Sequence, residues 1–257
     1  MAAPGVTRVV RWLFPQDRVR TVLLGPIRGT RFKVAPQSGM GATYALGLEA
    51  YHQRWFRRHV QRGMTVYDIG ANRGQLTLYF ASFVGAKGRV IAFEPVCFVY
   101  DDLAFNVRLN RLIQVETVCA ALGLRRGQEA FSFDKNHPAR GKLRHCEPTY
   151  LCPDYHTLAV DVISLDEFQE HRAQPPDLLK IDVEGGAGQV LRGATKMLER
   201  FSPNVYIELH GPEEQWAVKE CLVDCGYRAV TLTGEPVPDP TADWHSPLFC
   251  TRSGCSR

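Results

Sequence analysis

The sequence predicts an α/β fold, a mostly parallel sheet of about seven strands with helices on both faces. Three observations predict it. From residue 64 onward, short β-rich runs alternate with segments of helical period. The runs are nearly continuously apolar, the pattern of strands covered on both sides. At 257 residues, 45% hydrophobic and 23% charged, the chain is long enough to bury a core and has no disordered or collagen-like composition.

The run 64–69 (MTVYDI) is the first strand and stops at Gly70; Leu76, Phe80 and Phe83 then mark a helix face. The run 89–93 (RVIAF) is the second, followed by a helix carrying Val96, Val99, Tyr100, Leu103 and Val107. The run 114–119 is the third. Two further runs, 129–133 and 158–163, predict an inserted hairpin. Between them lies a loop of undefined shape with Lys142, Arg144, His145 and three prolines. The run 177–183 (DLLKIDV) is the fourth strand, and one helix follows it, with Val190, Leu191, Ala194, Met197 and Leu198 on a stripe. The run 204–209 (NVYIEL) is the fifth, and the next helix carries Ala217, Val218, Cys221, Leu222 and Cys225. The runs 227–232 and 248–251 have no helical pattern between them, so one is expected to run antiparallel at the sheet edge. Residues 1–62 stand outside the alternation. They are expected to be a lead with short helices, the last around Leu48, Tyr51 and Trp55, packed on a core domain of residues 63–257.

Charge divides the chain at the same place. The net +4 combines eleven basic residues against two acids through Arg62, a net +9, with −5 for the remainder. No apolar run reaches the ~18–20 residues of a membrane span, and Arg8 and Arg11 interrupt any signal-peptide segment. Cys97, Cys119, Cys221 and Cys225 fall in apolar or helical patterns and suit small buried side chains. Cys146 and Cys152 lack the second pair that a zinc site needs. The expectation is a cytoplasmic protein without a metal. Nucleic acid is disfavoured as a partner, because the acidic body offers no basic, aromatic-studded groove.

Ligands of open α/β sheets bind at the carboxyl ends of the strands, near the point where strand order reverses. The first strand ends in Asp68-Ile69-Gly70-Ala71-Asn72-Arg73-Gly74. Two of the three glycines of a dinucleotide fingerprint are absent, since Asn72 and Gln75 occupy their places. That disfavours an NAD-dependent oxidoreductase. A ligand without a pyrophosphate, needing close backbone approach and an acid nearby, fits better, and S-adenosylmethionine is such a ligand. The second strand ends in Glu94-Pro95, with Glu94 placed 20 residues past Gly74, where such folds set an acid on a ribose diol.

The strings YDIGANRGQLTLYFA, VIAFEP, LKIDVEG and YIELH, over roughly residues 42–232, resemble the FkbM family of S-adenosylmethionine-dependent methyltransferases. The resemblance implies a class I methyltransferase (Rossmann-like) sheet and, as the usual activity, O-methylation of a hydroxyl on a small molecule or glycan. It also implies that Asp68, Gly70, Ala71, Asn72 and Gly74 line the methionine end, Glu94 and Pro95 the ribose, and the turn at Ala120 the adenine. Glu49 matches a family glutamate that touches the cofactor.

Lys180, Asp182 and Glu184 share one parity of the fourth strand, while Leu179, Ile181 and Val183 take the other. Charges at the mouth of a covered sheet are costly unless paired or functional. Asp182 and Glu184 are therefore candidates either for an ion pair with Lys180 or for orienting and deprotonating a hydroxyl. Glu208 and His210, at the end of the fifth strand, are the other candidate bases. One position departs from the family: Ala187 stands where the family carries an acid, which leaves a cofactor-binding or scaffold protein without turnover as the second reading. The basic lead, with Arg8, Arg11, Trp12, Leu13, Phe14, Arg18 and Arg20, suits a docking stripe, an anionic acceptor or an anionic membrane surface. The sequence does not give the oligomeric state.

Overall fold

The computed structural model describes residues 18–33, 51–134, 137–143, 155–237 and 247–252. Glu49, Leu48, Arg144, His145, Cys146, Cys152 and the first part of the basic lead lie outside the described residues.

Within the described part of the lead, β1 (Val19–Thr21) pairs antiparallel with β2 (Arg31–Lys33), a hairpin that the expectation of short helices did not include. Its turn contains Gly25-Pro26 and Gly29, with both glycines at positive φ, so a reversal there outcompetes a helix. A helix does follow, α1 (Tyr51–His59). The core alternation then runs β3 (Thr65–Ile69), α2 (Gln75–Val84), β4 (Arg89–Phe93), α3 (Cys97–Leu109) and β5 (Val115–Val118).

The expected inserted hairpin is a sheet of four strands: β6 (Ala121–Leu122), β7 (Gly127–Asp134), β8 (His137–Leu143) and β9 (Tyr155–Ile163), in the order β6-β9-β7-β8. Part of the supposed loop is thus strand β8, which pairs antiparallel with β7. Its sequence hides this because Gly141 leaves a gap in the apolar pattern; the gap is filled by the Phe131 ring, which a Cβ at 141 would meet at 2.0 Å. The insert packs Phe131, Leu143, Val160 and Val162 on Val96 and Val99 at the start of α3.

After α4 (Leu165–Glu170) come β10 (Leu178–Ile181), α5 (Ala187–Arg192), α6 (Thr195–Phe201), β11 (Asn204–Ile207), α7 (Pro212–Asp224), β12 (Tyr227–Thr231) and β13 (Leu248–Arg252). The single helix expected after the fourth strand is therefore two. Gly193 ends α5 against the backbone of Gly123, where a Cβ would lie 2.0 Å from the carbonyl oxygen. The Asp166 carboxylate accepts from the amides of Lys196 and Met197 and so starts α6.

Seven strands form the main sheet, in the order β12-β13-β11-β10-β3-β4-β5. The antiparallel strand is β13, but it lies one place inside the edge expected for it, between β11 and β12. Leu248 and Cys250 of β13 are fully buried, whereas Arg228 gives β12 an exposed residue that suits an edge. Alternate residues serve two faces. Tyr67, Ile69, Phe93, Leu179, Ile181 and Ile207 pack under α4 to α7. Val66, Val90, Leu178 and Tyr206 pack under α1 and α2, where Trp55 and Phe56 meet Phe80 and Val84. The chain leaves β3 toward β4 on one side and returns to β10 on the other, so strand order reverses between β3 and β10.

At that reversal Lys180 is buried on the α1/α2 face. Its Nζ lies 3.1 Å from Asp68 Oδ1, donates to the carbonyls of Gly70 (2.9 Å) and Ile69 (3.3 Å), and sits 3.8 Å from Asp182 Oδ2. Thr77 of α2 donates to the other oxygen of Asp68 at 2.7 Å. Burial alone pushes the Lys180 ammonium down, but Asp68 and Asp182 outweigh it and hold its pKa above the ordinary value.

Two stability predictions follow from this packing. Lys180→Met leaves Asp68 as an uncompensated buried charge and is expected to cost about 3–5 kcal/mol, part of which Asp68→Asn in the same chain restores. Gly193→Ala is expected to cost roughly 1–3 kcal/mol by overpacking. Gly127→Ala, which meets nothing within 4 Å, should stay within about 0.5 kcal/mol. Urea midpoints at constant slope measure all four variants.

Candidate active site

The functional side chains stand one or a few residues beyond the strand ends, and the sheet's hydrogen bonds continue far enough to fix them. The amide of Glu94 donates to Val118 O (3.1 Å), that of Asp182 to Ile69 O (3.1 Å), and that of Glu208 to Ile181 O (2.9 Å). Between β3 and α2 the turn is built from positive-φ residues, Gly70, Asn72 and Gly74. Gly70 has two reasons to lack a side chain: its φ is +75°, and a Cβ would stand 2.0 Å from Asp182 O. The strand reversal and the close approach thus open a cleft of about 350 Å³ at the carboxyl end of the sheet.

One wall holds Glu94. Its Oε2 accepts from the Asn72 amide and its Oε1 from the Val96 amide, each at 3.0 Å. Burial pushes this carboxyl up to about 7, against the pull of those two amides. Beside it Pro95, Val99, Ala120, Leu122 and Phe131 form an apolar wall.

The opposite wall is a carboxylate–imidazole cluster. His210 Nε2 lies 3.0 Å from Asp182 Oδ1, and Nδ1 lies 3.5 Å from Glu184 Oε2. The hydrogen bond to Asp182 raises the His210 pKa to about 8, with burial opposing and Glu184 assisting. Burial would raise Asp182, but Lys180 and His210 together hold it below the ordinary carboxylate value. Glu208 accepts from the Tyr206 hydroxyl at 3.1 Å, and burial, with Asp182 nearby, pushes its pKa up. Among the described residues that line the cleft, Lys142 of β8 is the one lysine or arginine.

The structure therefore brings Gly70, Asn72, Glu94, Pro95, Ala120, Asp182, Glu184, Glu208 and His210 to one cleft. Asp68, Ala71, Gly74 and Ala187 do not line it. Asp68 is fully buried under Lys180 and Thr77, Ala71 packs on Leu103, and Ala187 is fully buried with its amide donating to Glu214. Gly74 precedes α2 with Leu103 at its back.

Three features have no motif signal in the sequence. His52 on α1 feels the charges of Asp182 and Lys180, with burial the main influence lowering its pKa; an isolated histidine on an aromatic helix face gives no motif. Asp102 takes both Arg73, within the glycine turn, and Lys33 of β2 (2.6 Å), which ties the lead to that turn through α3. Glu214, in the first turn of α7, bridges the amides of Ala187 and His210. Among the described residues no cluster suits a metal ion, and no helix is long and apolar enough to cross a membrane.

The family model for the methyltransferase FkbM domain matches residues 68–229. Methyltransferase 1 of Beauveria bassiana is 26% identical over 182 residues, covering 65% of this chain and 73% of that protein. Hexuronic acid methyltransferase AglP of Haloferax volcanii is 24% identical over 209 residues, covering 80% and 82%. Among solved structures, methyltransferase FkbM from Methylobacillus flagellatus KT shares the fold with a TM-score of 0.51 at 16% identity, over 80% of this chain. The match takes in 46% of that protein, so this chain spans about half its length. The fold is the Rossmann-like one of class I methyltransferases, and with more than half its length matched by the family model, the chain belongs to the methyltransferase FkbM domain family.

Proposed function

We propose that this chain is an S-adenosylmethionine-dependent O-methyltransferase acting on a hydroxyl of a small molecule or glycan. The observation that carries the proposal is the cleft's two-sided construction. A carboxylate held by two amides stands against an apolar wall on one side, and a carboxylate-bound imidazole stands on the other.

The residues fit the cofactor. Glu94 keeps acceptor capacity for a ribose diol after taking the Asn72 and Val96 amides. The apolar wall from Val99 to Phe131 suits an adenine face. Asp182, Glu184 and Glu208 supply negative charge for an ammonium and a sulfonium. The relative named for hexuronic acid supports a sugar hydroxyl as the acceptor class, and Lys142 gives the cleft one cation suited to an acidic sugar.

When bound, S-adenosylmethionine supplies an electrophilic methyl group, and its transfer to a hydroxyl releases one proton that the protein has to take. His210 takes it. Asp182 holds Nε2–H and so fixes the tautomer, which leaves Nδ1, loosely placed at 3.5 Å from Glu184, to receive the hydroxyl proton. The same two carboxylates stabilise the imidazolium that results. Lys180 keeps Asp182 ionised, and the fixed sheet ends supply the alignment on which in-line displacement depends.

Calorimetry with S-adenosylhomocysteine tests the cofactor half. Glu94 accepts best when ionised, so affinity should rise with pH and level off above about 7. Glu94→Gln should bind about tenfold more weakly and lose that dependence. No binding at millimolar ligand would exclude the proposal; binding without turnover on any sugar or phenol acceptor would leave a cofactor-binding protein. The second test is the pH profile of kcat/KM on a converted acceptor. His210 must be neutral to accept a proton, so the rate should climb as pH passes through about 8. Asp182→Asn should move the inflection down and lower kcat. A wild-type profile flat from about pH 6 to about pH 9 removes His210 from the role of base.

A further inference from the structure

We propose that Glu214 is a positioning residue of the reaction, whose buried carboxylate locks the backbone of His210 to the start of α5 and so sets the imidazole between Asp182 and Glu184. This rests on His210 being the proton acceptor proposed above.

Glu214 stands in the first turn of α7 and is 5% exposed. Its Oε2 accepts from the His210 amide at 2.6 Å and its Oε1 from the Ala187 amide at 2.9 Å. The first of these bonds resembles a helix cap, in which an acid of the opening turn reaches back to an amide just before the helix. The second does not. It leaves α7 altogether and ties down the residue that follows the segment Glu184-Gly185-Gly186. One carboxylate therefore joins the two loops that carry the two partners of the imidazole contact: His210 after β11, and Asp182 with Glu184 after β10.

A cap would function as well on the surface, without the cost of burying a charge. Burial does push the Glu214 carboxyl up, and the Ala187 and His210 amides pull it back. Gly185, at positive φ, and Gly186 form the bend between the segment carrying Asp182 and Glu184 and the Ala187 amide that Glu214 holds. Glu214 does not line the cleft, so any effect on the reaction passes through His210 or through the loop that carries Asp182 and Glu184. The groups facing His210 are Asp182 and Glu184 beyond β10, Glu208 beyond β11 and Glu214 on α7, with His52 of α1 acting on Asp182.

The test is Glu214→Gln in the full chain. Glutamine keeps the shape, but its carbamoyl oxygen serves only one of the two amides and its charge is gone. The expected result is a fall in kcat of about tenfold with KM for S-adenosylmethionine unchanged. Together with it, the His210 titration, followed by NMR of labelled histidine and assigned by its loss in His210→Gln, should move down from about 8. If the folded variant keeps the wild-type kcat and His210 titration and shows only a lower unfolding temperature, Glu214 is a structural cap and the proposal fails. Should Glu214→Gln not fold, Glu214→Asp retains the charge but is too short for both amides; an undiminished kcat there overturns the proposal equally. S-adenosylhomocysteine binding and wild-type turnover judge the functional reading, whereas the His210 titration in Glu214→Asp, which keeps the charge and loses the reach, judges Glu214 even where no acceptor is in hand: an unmoved titration there overturns the proposal.

Discussion

A lysine ammonium sits at the centre of the sheet, 2% exposed, and much of the site can be derived from the need to compensate it. Burying an isolated ammonium is prohibitive, so the strands on either side must present oxygen. Asp68 does so from β3, Asp182 from beyond β10, and the carbonyls of Ile69 and Gly70 complete the set. The Gly70 oxygen belongs to the turn that has to pass close to Asp182, the approach that excludes a side chain at Gly70. The ammonium therefore pins the glycine turn in place and keeps Asp182 ionised with one oxygen free for His210. A structural ion pair and a candidate catalytic contact share one carboxylate.

Such sharing explains why the sequence could not separate the two uses of Lys180 and Asp182. Parity along the fourth strand correctly places Lys180 and Asp182 on one side, because alternation is a property of the backbone alone. Which acid the lysine chooses depends on the neighbouring strand. Register sets Lys180 against Asp68, a partner 112 positions away in sequence, and no local pattern encodes that pairing. The same limit applies elsewhere. The core strands were legible because each is a short apolar run bounded by turn residues. Strand β8 was not, since its pattern is broken by Gly141 and completed by a ring from β7. The break between α5 and α6 was hidden because Ala194, Met197 and Leu198 continue the stripe across it, while the cause, contact of Gly193 with Gly123, is tertiary.

The candidate site divides along the same line. Residues that the sheet itself delivers to the cleft, such as Glu94, Asp182, Glu208 and His210, follow from strand ends that can be read in one dimension. Residues delivered by helices or by the lead do not. His52, Glu214 and Asp102 with its partners Arg73 and Lys33 stand among other polar residues of their helices or turns, and nothing in the spacing singles them out. The basic character of the lead gains a partial structural meaning from this last cluster. Lys33 is paired with Asp102 of α3, and Arg31 is held to the end of α3 by Leu109 and Asn110, so two of its charges serve attachment.

The two walls of the cleft also impose a common direction on its protonation chemistry. Burial holds Glu94 in its protonated form until about pH 7, and Asp182 holds His210 in its protonated form until about pH 8. The causes are opposite. At Glu94 burial outweighs the two amides and Lys180 that favour its ionised form, whereas His210 has anions at both ring nitrogens. Yet the form each needs, for accepting a diol or for accepting a proton, is the deprotonated one in both cases. A bound cation eases the first requirement, because positive charge in the cleft favours ionised Glu94. It eases the second as well, since the same charge disfavours imidazolium. In the proposed reading, loading the cationic cofactor therefore shifts both equilibria toward the forms the reaction uses, and occupancy of one wall prepares the other without any movement of the chain.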